Sequence, residues 1–177
     1  MKLSRRKEKL MKLDKIIPLE VYTDGSSKPA YGISFGGWAY IITKDGAELK
    51  AGEGWATNAT NQCMELQAAI EAVKVADEVR EKGQQVKVYS DSAYLVNCYL
   101  QDWWKKWIIN GWVNANKKDV ANIELWQQLI PYFENLAFTF IKVKGHDTNY
   151  WNNLCDQRAQ GAADYARVSW RGKEETL

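Results

Sequence analysis

The sequence predicts an α/β fold on a five-stranded mixed sheet, with three antiparallel strands followed by parallel strands reached through helical crossovers. Three observations carry this reading. Leu19, Val21 and Thr23 alternate with Glu20, Tyr22 and Asp24, the period of a strand with one buried face. Lys44-Asp45-Gly46 joins two further strand-like runs by an Asp-Gly hairpin signal. Beyond residue 60, apolar runs of helical period alternate with short strand-like runs, the signature of crossover connections.

In chain order, the first strand runs from Leu19 to Asp24 and enters a turn at Gly25-Ser26-Ser27. Gly36-Gly37 leads into a second strand, Trp38 to Thr43, and the Asp-Gly turn into a third, about Glu48 to Ala56. Leu66, Ile70, Val73 and Ala76 define a helix over Gln62 to Lys82, with Gly83 as its stop. Val86, Val88 and Ser90 mark a fourth strand that ends at Asp91. A helix is expected over Ser92 to Trp104, a shorter one near Lys105 to Ile109, and a break at Gly111. After a polar loop over 113–119, Asn122 is placed to cap a helix that reaches Glu134. Phe138 to Val143 forms the fifth strand, and Asn152 to Arg167 the last amphipathic helix.

Composition limits the chemistry. Of 177 residues, 46% are hydrophobic and 26% charged, which suits a folded soluble body rather than a disordered chain. The single histidine, His146, excludes zinc sites built from several imidazoles. Cys63, Cys98 and Cys155 are odd in number and widely spaced, so neither a disulfide framework nor a Cys-rich metal site is indicated, and a reducing, cytoplasmic setting is expected. No apolar run is long enough for a membrane span, and no membrane partner is expected.

The net charge of +2 conceals a division. Residues 1–17 carry seven Lys or Arg against Glu8 and Asp14, which gives +5 there and leaves −3 on the other 160 residues. Residues 1–17 are read as a basic arm outside the fold, 18–168 as the folded domain and 169–177 as a polar tail. The arm is expected to raise affinity for a polyanion in a salt-dependent way.

Four carboxylates occupy positions that this architecture can bring together: Asp24 and Asp91 at strand ends, and Glu65 and Asp156 in the first turns of helices. Such ends face a common crevice in open α/β sheets. Converging acids with almost no histidine point to hard cations, Mg²⁺ or Mn²⁺, and two such ions about 4 Å apart serve in-line phosphoryl displacement. Singly, each acid is equally a turn former or a helix-dipole partner, and local sequence distinguishes the readings.

Tyr22-Thr23-Asp24-Gly25-Ser26, Thr60-Asn61-Gln62-Cys63-Met64-Glu65-Leu66, Tyr89-Ser90-Asp91-Ser92, and Val143-Lys144-Gly145-His146 with Asn152 and Asp156 resemble, in order, the motifs of type 1 ribonuclease H. The resemblance spans about residues 19–166. It implies a ribonuclease H-like fold and an endonuclease that hydrolyses the RNA strand of RNA–DNA hybrids with two divalent ions, leaving 5′-phosphate and 3′-hydroxyl ends. By the same resemblance, Asp24 bridges the ions, Glu65 and Asp91 complete one shell, Asp156 completes the other, and His146 assists proton movement or product release. A monomer is expected. The alternatives are a non-catalytic hybrid-binding module of the same fold and a related nuclease acting on DNA.

For substrate contact, Asn61 matches a family residue in the minor groove, Gln62 stands where many members have a second Asn, and Ser27 and Thr60 are further candidates. Trp103 to Lys118 carries Lys105, Lys106, Lys117 and Lys118, a net +4 interleaved with Trp103, Trp104, Trp107 and Trp112. This resembles the basic handle of bacterial members. The lysines and Trp103 are expected to meet phosphates, and Trp107 and Trp112 to pack a small subdomain. Three departures from the family pattern stand out: a longer loop at Lys28-Pro29-Ala30-Tyr31-Gly32, Ala93 in place of a glutamine, and Ile108-Ile109-Asn110 ahead of Gly111-Trp112.

Overall fold

The computed structural model describes residues 16–145 and 148–174. Strands β1 (Leu19–Ala30), β2 (Ile33–Lys44), β3 (Ala47–Thr57), β4 (Val86–Ser90) and β5 (Phe138–Lys142) form one sheet in the order β3-β2-β1-β4-β5. The first three are antiparallel, and β4 and β5 run parallel to β1. The helices are α1 (Asn61–Val79), α2 (Ala93–Leu100), α3 (Trp103–Ile109), α4 (Ile123–Glu134) and α5 (Tyr150–Glu174). No described helix is long and apolar enough to cross a membrane.

Strand alternation divides the core. Leu19, Val21, Tyr40 and Ile42 face α1, behind which α2, α3 and α4 close the larger cluster around Trp126 and Phe133. Tyr22, Ala39 and Ile41 face the other way and meet Cys155 and Ala159 of α5. β1 is thus covered on both faces, and α1 and α5 bracket it.

The first hairpin departs from the sequence reading. Gly25-Ser26-Ser27 does not turn: β1 continues to Ala30, pairing Gly25 with Trp38, Ser26 with Gly37 and Ser27 with Gly36. The turn falls at Tyr31-Gly32, both with positive φ (55° and 76°), so the expected long loop at 28–32 is a two-residue hairpin in which Lys28, Pro29 and Ala30 are paired strand residues. The glycines serve close approach instead. A Cβ on Gly25 would lie 2.2 Å from the backbone nitrogen of Glu65, and one on Gly37 would lie 2.1 Å from the Ala159 carbonyl. Their bare backbones let α1 and α5 rest directly on the sheet. The Asp45-Gly46 turn has the expected geometry, with φ of 53° and 74°.

Helix ends also shift. Thr60 caps α1, its Oγ1 accepting from the Cys63 N–H at 3.2 Å, and the helix leaves its path at Arg80, short of the predicted Lys82. The predicted helix over Ser92 to Trp104 is broken at Gln101-Asp102, where Asp102 takes φ 53°, and α3 turns away so that Trp104 and Trp107 point into the core. Asn122 precedes α4 with φ 59° and makes no side-chain cap bond, contrary to the capping role expected of it. Asn149 Oδ1 accepts from the Asn152 N–H at 3.0 Å, so α5 starts two residues early, and it runs to Glu174 through part of the stretch read as a tail.

The glycine contact yields a paired expectation. Gly37→Ala should cost about 2–4 kcal/mol, because backbone must move to admit the methyl group. Gly161→Ala, on an open face of α5, should be neutral or stabilising. Urea unfolding of the two variants measures the difference.

Candidate active site

The site begins where the parallel pairing of β1 and β4 stops. Its last pair is Thr23 with Ser90, so Asp24 and Asp91, the next residues, emerge side by side. Asp24 remains paired to Ala39 of β2 and is held rigidly, while Asp91 is the first residue off its strand. The Ser92 N–H donates to Ser90 Oγ at 3.1 Å, and Ser92 Oγ caps α2 by accepting from the Leu95 N–H at 3.3 Å. The turn that carries Asp91 is therefore tied down on both sides.

Glu65 arrives from α1, seated against Gly25, and Asp156 from α5. Both stand in the second turn of their helices rather than the first, because α1 begins at Asn61 and α5 at Tyr150. One carboxylate oxygen each of Asp24, Glu65 and Asp91 lies within 4.8 Å of the others. Asp156 joins them through a side-chain hydrogen bond with Asp24, and its Oδ1 accepts from Gln160 Nε2 at 2.8 Å. After β5 the chain presses on the same group, since a Cβ on Gly145 would lie 2.5 Å from Asp91 Oδ2.

Crowding and burial decide the electrostatics. Asp24 and Glu65 are 7% and 6% exposed. Burial, then the charges of Asp91 and Asp156, push the Asp24 carboxyl up to about 8, against a weaker downward pull from a Gly25 backbone hydrogen bond. Glu65 is likewise held well above the carboxylate range by burial, Asp24 and Asp91, opposed by Gly25 and Lys142. The Lys142 ammonium donates to the main-chain carbonyl of Asp91. Glu65 Oε2 is buried without a hydrogen-bond partner, while Oε1 accepts a long bond, 3.5 Å, from Asn61 Nδ2. An orphaned carboxylate oxygen among three other acids is the donor set of a hard divalent cation. Cys155 stands apart from this set, its thiol donating to the carbonyls of Tyr22 and Ala39 at 3.4 and 3.2 Å.

The remaining expected contacts separate into groups. Asn61 and Gln62 are exposed at the start of α1, beside Glu65. Ser27 is engaged, its Oγ donating to the Ala59 carbonyl at 2.7 Å, and Thr60 is the cap described above. His146 lies outside the described residues. In the handle, Trp104 and Trp107 are buried against Phe133 and Trp126, and half-buried Trp103 donates from Nε1 to Gln101 Oε1 at 3.0 Å. Lys105 pairs with Asp102 at 2.9 Å and lies over the Trp104 ring. Lys106, Lys117 and Lys118 are exposed and in no ion pair among the described residues. The stretch read as a polar loop is a small hairpin closed by a Val113–Asp119 bridge, with Asn114 Oδ1 accepting from the N–H groups of Asn116 and Lys118.

Gly145 belongs to the fourth motif quoted from the sequence, but Lys142, also at the acids, lies outside the motifs. It carries a signal nonetheless: it continues the phase of buried Phe138 and Phe140 at the end of β5, where a strand in a parallel sheet delivers residues to the crevice.

The model of the RNase H family matches residues 18–164. A ribonuclease H of Syntrophomonas wolfei is 42% identical over 142 residues, covering 80% of this chain and 93% of that protein. A ribonuclease H of Acetivibrio thermocellus is 45% identical over 141 residues, with 80% and 91% covered. Among solved structures, the PFV RNase H domain superposes with a TM-score of 0.71 at 23% identity, covering 84% of this chain and 96% of that one. LC9-RNase H1, described as a type 1 RNase H with the type 2 active-site motif, gives 0.68 at 23% identity, with 85% and 74% covered. The structural likenesses show the fold, and the family match extends from β1 into α5, across all four acids. This chain belongs to the ribonuclease H family of enzymes.

Proposed function

We propose that the protein is an endonuclease that hydrolyses the RNA strand of RNA–DNA hybrids, with Asp24, Glu65, Asp91 and Asp156 holding divalent ions, Mg²⁺ or Mn²⁺. The observation that carries this reading is the group of carboxylate oxygens within 4.8 Å, two of its residues buried, with Glu65 Oε2 unpartnered. Bound there, two ions supply a nucleophilic water and stabilise charge on the phosphodiester. Hydrolysis that breaks the bond from phosphorus to the 3′ oxygen leaves 5′-phosphate and 3′-hydroxyl ends.

The chain's own residues do the rest. Asp24, held on β1 by its pairing to β2, lies beside the other three acids and would suit a shared ligand position. Glu65, Asp91 and Asp156 would complete the set of carboxylates that holds the ions. Four acids would repel a phosphodiester, so productive approach requires that cations offset them. Asn61 and Gln62, exposed beside Glu65, are placed to meet the 2′-hydroxyl that separates RNA from DNA. His146, which precedes α5 in the sequence, is assigned to proton movement or product release. Lys106, Lys117 and Lys118, with Lys105 and Trp103 behind them, position phosphates without reading sequence.

Cleavage of labelled RNA–DNA hybrid, duplex RNA and duplex DNA at one Mg²⁺ concentration tests the reading. Hybrid alone should be cut, in its RNA strand, with affinity that falls as salt rises. An intact hybrid, or preferential cutting of duplex DNA, contradicts the proposal.

The raised Asp24 pKa adds a pH dependence. Unfolded, this carboxyl titrates near 3.8; folded, near 8, so the folded state carries an extra proton between those values. Its contribution to stability is complete below pH 3.8 and is lost as pH rises through about 8. With chelator present, the melting temperature should therefore fall from pH 5 to pH 9, and saturating Mg²⁺ should flatten the decline. A metal-free melting temperature that rises over this range overturns the assignment.

A further inference from the structure

Lys142 occupies a place at the carboxylates that the family motifs do not fill. It pairs with Ser90 at the end of the β4–β5 ladder, one residue before Asp91. Its backbone extends the buried phase of Phe138 and Phe140, yet the residue is exposed at the rim of the crevice. The ammonium donates to the Asp91 main-chain carbonyl, and its charge acts on Glu65.

A positive charge tethered at this spot has two consequences of opposite sign. It offsets negative charge at Glu65, which lies beside Asp24 and Asp91, when no ion is bound, and this favours the metal-free fold. It also repels an incoming divalent cation, which raises the concentration needed to fill the site. Resting on the proposed metal-dependent function, we propose that Lys142 is a resident counter-cation. It is a positioning residue that steadies the Asp91 turn, stands in for part of the divalent charge, and sets the Mg²⁺ concentration at which the site fills.

The test compares Lys142→Met with Lys142→Arg in the full chain without nucleic acid, by thermal melting with chelator and by calorimetric Mg²⁺ titration. Lys142→Met should melt about 2–4 °C lower than wild type in chelator. It should also reach half-saturation at roughly three- to tenfold less Mg²⁺. Lys142→Arg should restore both values, since it keeps the charge. A general packing role would lower melting equally with and without Mg²⁺ and leave the titration unmoved, which overturns the proposal. Unchanged Mg²⁺ binding with a raised KM for hybrid would make Lys142 a phosphate contact and overturn it as well. The failures remain distinct: wild-type protein without any Mg²⁺ response contradicts the metal-site reading, whereas an unaltered response in Lys142→Met contradicts only the role of Lys142.

Discussion

Four carboxyl groups brought to one point repel one another, and much of the structure around them serves to hold them there. Asp24 is the centre of the group because it extends one residue past the last parallel pair of β1 and β4 while still bonded to β2. The bare backbone at Gly25 admits α1 and hence Glu65, and the one at Gly37 admits α5, which carries Asp156. The result is a crevice in which buried Asp24 and Glu65 do not ionise at their ordinary pH. Protons relieve the repulsion in part and a divalent ion would relieve it further, so the fold and the proposed chemistry depend on the same electrostatic constraint.

The core reflects this arrangement. β1 is covered on both faces beside the acids, by α1 through Val21 and by α5 through Tyr22. The handle is built differently. Its tryptophans pack inward against Trp126 and Phe133, which props α3 and the small hairpin after it away from the sheet and leaves Lys106, Lys117 and Lys118 in solvent. Negative charge is thus concentrated in a crevice and positive charge spread over a protrusion, a division that suits a phosphate backbone gripped at one place and cut at another.

Much of this was legible in the sequence, for identifiable reasons. Strand alternation located β1, β4 and β5, and the Asp45-Gly46 pair located the second hairpin, because these signals are local. Asp24 and Asp91 could be placed at one end of the sheet from strand phase alone. The misreadings arose where one residue type serves two ends. Gly25 reads as a turn residue and Gly37 as the lead into a strand, whereas tertiary packing uses both for close helix approach. The break at Gln101-Asp102 follows from the need to bury Trp104 and Trp107, which no local pattern records. Lys142 passed unnoticed because a lysine at a strand end is ordinary until Asp91 and Glu65 are known to lie beside it.

In the proposed function, Asp24 organises a divalent-ion site that performs the cleavage. Asp24→Asn is the most direct measure, since it removes one charge, keeps the shape and leaves the handle untouched. The expected result is a loss of Mg²⁺-induced thermal stabilisation and a fall in hybrid cleavage of roughly a thousandfold or more, with hybrid binding retained. Ordinary turnover in that variant, or an undiminished response to Mg²⁺, would contradict the account.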